Sequence, residues 1–264
     1  MKVSIIGAGT VGKSIADAIK DDFEISLSSS SFEKLKAWNN NRFKIFNNNV
    51  DNSNYGDIII LTVKPDIIDK VLDEIKSNLK NKIVISFIAG IKIDYIKKYL
   101  DSSIIVRAMP NIPMLIKKSV TAYCYENIDN DSIITVKKIL SDMGTHVEIN
   151  ESYMDAVTGL SGSGPAFIAI MIDSMINAGI YAGIHRDKAR KLVMDTFYST
   201  LELLNEKNIS PSDLRDEVMT PGGTTVSGIY ELEKGNIRTA ITNAVIASYK
   251  KAKEISEYYT DKKL

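Results

Sequence analysis

The sequence predicts an α/β protein in two parts, a doubly wound parallel sheet over residues 1–150 and an all-helical part over residues 151–264. Three observations carry this. Short β-branched runs alternate with amphipathic stretches as far as Asn150, the pattern of a parallel sheet covered by helices. The run Gly7-Ala8-Gly9-Thr10-Val11-Gly12 directly follows the first of them. After Glu151 the strand signal stops and long helical patterns take over. A chain of 264 residues is long enough for two domains of ordinary size.

Composition narrows the function. Hydrophobic residues make up 44% and charged residues 25%, the balance of an ordinary globular chain. Lys+Arg and Asp+Glu cancel at 33 each, which argues against a nucleic-acid or anionic-membrane partner held by bulk charge. The single cysteine, Cys124, excludes an internal disulfide, and with only His146 and His185 beside it no metal site is expected. No uninterrupted apolar run approaches the ~18 residues of a membrane span. The N-terminus opens on a strand and a glycine turn rather than a signal peptide, so a cytoplasmic protein is expected.

In chain order, Lys2–Ile6 reads as a strand and Val11–Ile19 as a helix, with Glu24–Leu27 the second strand. The Asn-rich stretch 47–54 reads as a loop. Asp57–Val63 is almost continuously apolar, as a central parallel strand buried on both faces should be. Lys64-Pro65 stops it, and Ile67, Ile68, Val71, Leu72 and Ile75 mark one helix face. Lys82–Ser86, Ile104–Arg107, Ser119–Tyr125 and His146–Ile149 repeat the strand signal, with helices over Ile93–Leu100 and Ile133–Leu140. The later helices are Ala166–Ile184, Asp187–Leu204 and Ile237–Tyr258. Ser210-Pro211-Ser212-Asp213 is a helix start, with Ser210 as N-cap and Pro211 at the first position. Ala166–Ile172 is apolar almost all round, so other helices, from this chain or a second subunit, must enclose it.

The glycine run has the spacing of a dinucleotide cradle. Gly7 permits the tight turn, Gly9 lets a pyrophosphate approach the backbone, and Gly12 lets helix and strand pack closely. The helix start then offers free N–H groups to phosphate. A nicotinamide site specific for NAD places an acid at the end of strand two to hold the ribose hydroxyls. Here that position holds Ser28-Ser29-Ser30-Ser31, with Lys34 and Lys36 as candidate counter-charges. NADPH is therefore the expected cofactor and NADH the weaker alternative.

Two long motifs lie in the second half, Ala156-Val157-Thr158-Gly159-Leu160-Ser161-Gly162-Ser163-Gly164-Pro165-Ala166-Phe167 and Leu214-Arg215-Asp216-Glu217-Val218-Met219-Thr220-Pro221-Gly222-Gly223-Thr224-Thr225. Together with Val63-Lys64-Pro65, Ala89-Gly90 and Arg107-Ala108-Met109-Pro110-Asn111-Ile112-Pro113, they resemble the pyrroline-5-carboxylate reductase family, from residue 3 to about 250. The sequence departs at Thr220, usually Ser, at Ile112, usually Thr, and in Ser86-Phe87-Ile88-Ala89-Gly90, a variant of S-x-A-A-G. The resemblance implies an N-terminal Rossmann-type domain, a helical substrate-binding and dimerisation domain, and reduction of 1-pyrroline-5-carboxylate to proline by a homodimer, alone or within a larger homo-oligomer. It implies cofactor contacts at Gly7, Ala8, Gly9, Thr10, Val11 and Gly12, at Ser29 or Ser30, and at Asn49, Val63, Lys64 and Ala89. Met109 and Asn111 are expected near the nicotinamide, and Glu151 and Glu217 close to the cofactor or substrate.

A carbonyl reductase must protonate a developing alkoxide; a protonated imine already carries its proton. The sequence fits, since no Lys lies between Glu151 and Asp187, where hydroxyacid dehydrogenases of related architecture keep one. His185 falls at a helix end, as a cap or surface residue. Orientation is then the task. Free N–H groups at the helix start formed by Gly223, Thr224 and Thr225 suit a substrate carboxylate, and by resemblance the Thr225 hydroxyl bonds the ring nitrogen; the plainer reading of Thr225 is an N-cap. Ser163, in the glycine-rich Ser161–Pro165, is read as a wall of the substrate site, against a pure packing role. Cys124 reads as a buried, inert thiol. Two competing readings remain, an NADPH-dependent reductase of another imino or keto acid and a non-enzymatic nucleotide sensor.

Overall fold

The structure, a computed structural model, describes residues 1–39, 41–100 and 103–261. Its first part runs β1 (Lys2–Ile6), α1 (Thr10–Ile19), β2 (Glu24–Ser28), α2 (Phe32–Asn39), β3 (Lys44–Phe46), α3 (Asn49–Tyr55), β4 (Ile58–Leu61), α4 (Ile68–Ile75), β5 (Ile83–Ser86), α5 (Ile93–Lys97), β6 (Ile104–Met109), β7 (Ser119–Tyr125), α6 (Asn130–Met143), β8 (Gly144–Glu148) and α7 (Met154–Val157). The sheet order is β3-β2-β1-β4-β5-β6-β7-β8. All neighbours pair in parallel except β6 and β7, which are antiparallel. The order 3-2-1-4-5-6 is that of the doubly wound dinucleotide fold, whose ligands bind where the winding reverses, here between β1 and β4.

Alternate residues of the central strands feed two cores. Ile5, Leu27, Ile60, Ile85 and Val106 meet Ile15, Ile19, Val136 and Leu140 on one face. On the other, Ile6, Ile59, Leu61, Val84 and Ile105 meet Ile68, Leu72, Ile75 and Ile96. Burial on both faces explains why these strands read as continuous apolar runs rather than alternating ones.

Two expectations change. The segment 47–54 is not a loop, because Asn49–Tyr55 is helical, with Asn48 as N-cap accepting the Asp51 N–H at 2.8 Å. Its inward face is polar, Asn52 and Ser53, so no apolar periodicity announced it. The short α2 and β3 were likewise not anticipated.

The helical part runs α8 (Gly164–Tyr181), α9 (Arg186–Lys207), α10 (Pro211–Val218), α11 (Thr224–Lys234) and α12 (Ile237–Asp261). Ser210 caps α10 as read, accepting the Asp213 N–H at 3.1 Å. Packing divides the chain into residues 1–163 with 247–264, and residues 164–246. The division differs from the expected cut at 150. Met154 is buried in the second core of the sheet unit, which draws the 151–163 segment to it, and Tyr259 in the last half of α12 joins the same core. The other unit has little interior of its own: Ile176, Ala189 and Val193, with Ile172, Ile180 and Phe197 packed against them.

The continuous helical stretch Glu151–Tyr181 is long and apolar enough, by length and composition, to cross a membrane. That corrects the expectation that nothing in the chain approaches a span: Gly, Ser and Asn interrupt the apolar residues without lowering the average enough.

Candidate active site

The glycine run lies at the β1–β4 switch point. Gly7 has φ +100°, and a Cβ there would lie 2.8 Å from both Cγ1 and the backbone N of Val63. A Cβ on Gly12 would lie 2.7 Å from the Gly7 carbonyl oxygen and 2.8 Å from the Thr62 hydroxyl. These two glycines are demanded by the protein's own packing. Gly9 is not: its nearest would-be neighbour is the Gly7 carbonyl oxygen at 4.0 Å. Gly9 is exposed, and the open space above it leaves room for a phosphate to approach the backbone.

Backbone bonding agrees. Gly7 and Ala8 donate to the Ser28 carbonyl at 3.1 and 3.0 Å, Gly9 donates to the Gly7 carbonyl at 2.7 Å, and Lys13 donates to Gly9 at 3.0 Å to close the first turn of α1. No side chain caps that helix. The N–H groups of Thr10, Val11 and Gly12 are thus the unpaired donors of a helix start, a site for phosphate.

At the end of β2 the serines divide. Ser28 is buried; its hydroxyl donates to Asn49 Oδ1 at 2.9 Å and accepts from Asn52 Nδ2 at 3.0 Å. Asn52, fully buried, also donates to the Ile5 carbonyl at 2.9 Å and accepts the Ser26 hydroxyl at 2.6 Å. Asn49 uses its other end on Glu74 Oε2, at 2.8 Å. Its amide therefore helps hold the strand end together and keeps a second N–H and a second lone pair in hand. Ser29 is half-buried, its hydroxyl accepting the Ser31 N–H at 3.2 Å, and Ser30 is exposed. Lys34 and Lys36 are exposed on α2.

Further along the sheet, Val63 and Lys64 follow β4, Ala89 follows β5, and Met109 ends β6. Gly90, beside Ala89, has φ +75° and faces Ile255, whose Cγ2 would lie 2.5 Å from a Cβ. Asn111 accepts the Val120 N–H at 2.9 Å and the Ser119 hydroxyl at 3.3 Å, fixing the turn after β6. Arg107 is 3% exposed and reaches Glu151 at 3.3 Å and Asp155 at 3.2 Å. Glu151 Oε1 also accepts the Ile93 N–H at 2.8 Å. Arg107 lies in a motif that assigns it no role and Asp155 carries no sequence signal of its own; only their meeting in space marks them. Cys124 pairs with Arg107 across β6 and β7. Burial, with Glu151 adding to it, pushes the Cys124 thiol up to about 12, so it stays protonated and inert.

Residues 158–162 form a π-helical turn, a wide turn that often marks functional sites. The Thr158 carbonyl accepts both the N–H of Ser163, at 3.0 Å, and its hydroxyl, at 3.3 Å. Gly162 lies against Met109, whose Cε would be 3.2 Å from a Cβ.

In the helical unit, Gly223 is the N-cap of α11 and no side chain caps that start. Thr225 is therefore the second helical residue, which removes the N-cap reading of it. A Cβ on Gly223 would collide with the Thr220 hydroxyl, and Gly222 has φ +71°, so both glycines are needed to form this bend. Ser227 donates to the Gly223 carbonyl at 3.4 Å, leaving the N–H groups of Thr224, Thr225 and Val226 as the free donors. Glu217 is exposed on α10 and borders an open cleft of about 410 Å³ with Leu203, Lys207, Ile209, Leu214 and Val218. His185 is the exposed residue before α9, as read.

Comparison with known proteins identifies the family. The family model for pyrroline-5-carboxylate reductase dimerisation matches residues 151–255, and that for the coenzyme F420-dependent NADP oxidoreductases matches residues 2–90. Pyrroline-5-carboxylate reductase of Arabidopsis thaliana is 32% identical over 265 residues, 97% of this chain and 96% of that one. The Synechocystis enzyme of the same name is 38% identical over 210 residues, 79% of each. Among solved structures, Plasmodium falciparum pyrroline carboxylate reductase with NADP bound superposes with a TM-score of 0.90 at 30% identity, covering 97% of this chain and 98% of that one.

Proposed function

The chain belongs to the pyrroline-5-carboxylate reductase family, and from that premise we infer that it reduces the C=N bond of 1-pyrroline-5-carboxylate with NADPH, giving L-proline. The observation that carries the cofactor half is the open space over Gly9 beside three free N–H donors, a cradle that fits a pyrophosphate. NADPH, when bound, supplies the hydride.

The chain's own residues bind and orient. The Thr10, Val11 and Gly12 N–H groups take the phosphates. Ser29 and Ser30 stand where a carboxylate would repel a 2′-phosphate; Val63 and Lys64 follow β4 at the switch point, and Ala89 and Met109 stand at the ends of the next two strands. In the helical unit, the N–H groups of Thr224 and Thr225 suit the substrate carboxylate. The Thr225 hydroxyl oxygen accepts the N–H of the protonated imine and so selects the face presented to the hydride. The imine brings its own proton, so no general acid is needed, consistent with the absence of Lys between Glu151 and Asp187. Ser163 and Glu217 complete the substrate side of this reading. The scantily buried helical unit supports assembly with a second copy. A cytoplasmic location is part of the same reading.

The decisive experiment is NADPH oxidation by the purified chain with 1-pyrroline-5-carboxylate, with proline identified as product. Turnover with that substrate and proline formation is the expected result. Turnover only with another imino or keto acid would replace the substrate assignment, and NADPH binding without turnover on any of them would favour a sensor.

A further inference from the structure

We propose that Arg107 is a positioning residue for this reaction, the hub of a buried brace that holds three segments of the cofactor-side wall in register. The inference rests on the functional reading above and deepens it. One guanidinium edge, Nη1, meets Glu151 at 3.3 Å, and the other, Nη2, meets Asp155 at 3.2 Å. The same Glu151 oxygen that takes Arg107 accepts the Ile93 N–H at 2.8 Å. Three stretches of chain are therefore tied at one point. The first is β6, which carries Arg107 and, two residues on, Met109. The second is the start of α5, which ends the loop bearing Ala89 and Gly90. The third is the 151–157 segment, which leads into the π-turn 158–162 and Ser163.

The contact between Gly162 and the Met109 methyl shows what the register controls. Gly162 has Met109 Cε within 3.2 Å of a would-be Cβ, so a small slide of the 151–163 segment along β6 would open or close that wall. Arginine suits the post because its planar fork can address two carboxylates at once, whereas a lysine ammonium is a point charge on a flexible stem. Arg107 is buried, so the arrangement is retained at a desolvation cost. Exposed charges at a loop would carry no such constraint.

The test uses the full chain as Arg107→Lys and as the neutral triple variant Arg107→Met/Glu151→Gln/Asp155→Asn, which leaves no buried charge unpaired. Amide hydrogen exchange is read first. Faster exchange in 89–93, 107–111 and 151–163 together, with the rest of the sheet unchanged, is the expected result for Arg107→Lys. A change confined to 151–155 would overturn the brace. Kinetics are read next, with NADPH and its 4-deuterated form. Misplacement of reacting groups by an ångström can cost about 100-fold. A fall in kcat of about 10- to 100-fold is expected, with KM for NADPH moved by less than about threefold and a larger deuterium isotope effect. The neutral triple should match Arg107→Lys in kcat. Wild-type kcat and isotope effect in the triple, or a rise in KM alone, would overturn the positioning role. If the wild-type chain reduces a different substrate, the kinetic comparison moves to that substrate. If it reduces none, the exchange pattern alone decides the brace.

Discussion

Thr225 is where the chemistry proposed for the chain rests on one hydroxyl. Because Gly223 is the N-cap of α11, Thr225 makes no capping bond whose loss would lower stability. Thr225→Ala should therefore leave the melting temperature near that of the parent and lower kcat/KM by about 10- to 150-fold, the value of ~1.5–3 kcal/mol for one hydrogen bond to a charged group. Thr225→Ser should keep most of the activity. Unchanged kcat/KM in the alanine variant would remove Thr225 from the catalytic assignment, and a loss far beyond that range would make it an obligatory proton donor. Asn52 is the opposite case, buried and remote from chemistry. Asn52→Ala takes the acceptor from the Ser26 hydroxyl and a donor from Ser28 and the Ile5 carbonyl. Ser26 keeps Ser4 and Ser28 keeps Asn49 as partners, so the expected loss in denaturant unfolding is about 1–3 kcal/mol, that of one buried hydrogen-bonding side chain; a change below 0.5 kcal/mol (roughly the spread of neutral surface substitutions) would mean that the remaining bonds carry the network. The contrast between the two residues marks what the sequence could say. Thr225 is singled out in the sequence because it sits in a motif of fixed spacing, and its role stays a proposal. Asn52 is not singled out, since a buried polar side chain looks in sequence like any loop asparagine.

Among the elements, the turn at Gly7 and the tight helix–strand contact at Gly12 were readable in the sequence, because each requires glycine there, while the close approach of a ligand at Gly9 stays a proposal. Gly12 and Gly9 should nevertheless fail differently. Gly12→Ala places a methyl against the Gly7 carbonyl and Thr62, so stability falls with cofactor binding. Gly9→Ala meets no protein atom closer than 4.0 Å and should fold normally while binding NADPH more weakly. Equal melting temperatures together with unchanged NADPH affinity in Gly9→Ala would place the phosphates elsewhere. At the end of β2, Ser30→Asp should raise KM for NADPH more than for NADH, through repulsion of the 2′-phosphate; equal effects would mean that the ribose lies elsewhere. Helix α3 escaped the same kind of reading for a physical reason. Its inward residues, Asn52 and Ser53, satisfy strand-end polar groups rather than an apolar core, so it lacks the periodicity that identifies a helix.

For the whole molecule, the helical unit cannot account for its own surface. In α8 only Ile176 is buried, while Ile170 is 66% and Tyr181 95% exposed. A helix so apolar needs cover, and the stretch Glu151–Tyr181 that contains it would by length and composition also suit a membrane. Asp173 favours cover by protein. It lies midway along α8, bonded to Asn177 at 3.0 Å, and an acid at a bilayer centre costs about 2.5–3.5 kcal/mol. A second copy of the chain can cover the apolar residues and leave such a group at a wet rim. We therefore expect an obligate dimer with an interface of ~2,000 Å² or more, formed without detergent. Light scattering at assay concentration should give twice the chain mass or a multiple of it. Ile170→Lys should shift the population towards monomer and lower activity in step, and raising the protein concentration should restore both. An active monomer would sink the expectation. Extraction with the lipid fraction, with no dimer in detergent-free buffer, would instead assign α8 to a bilayer.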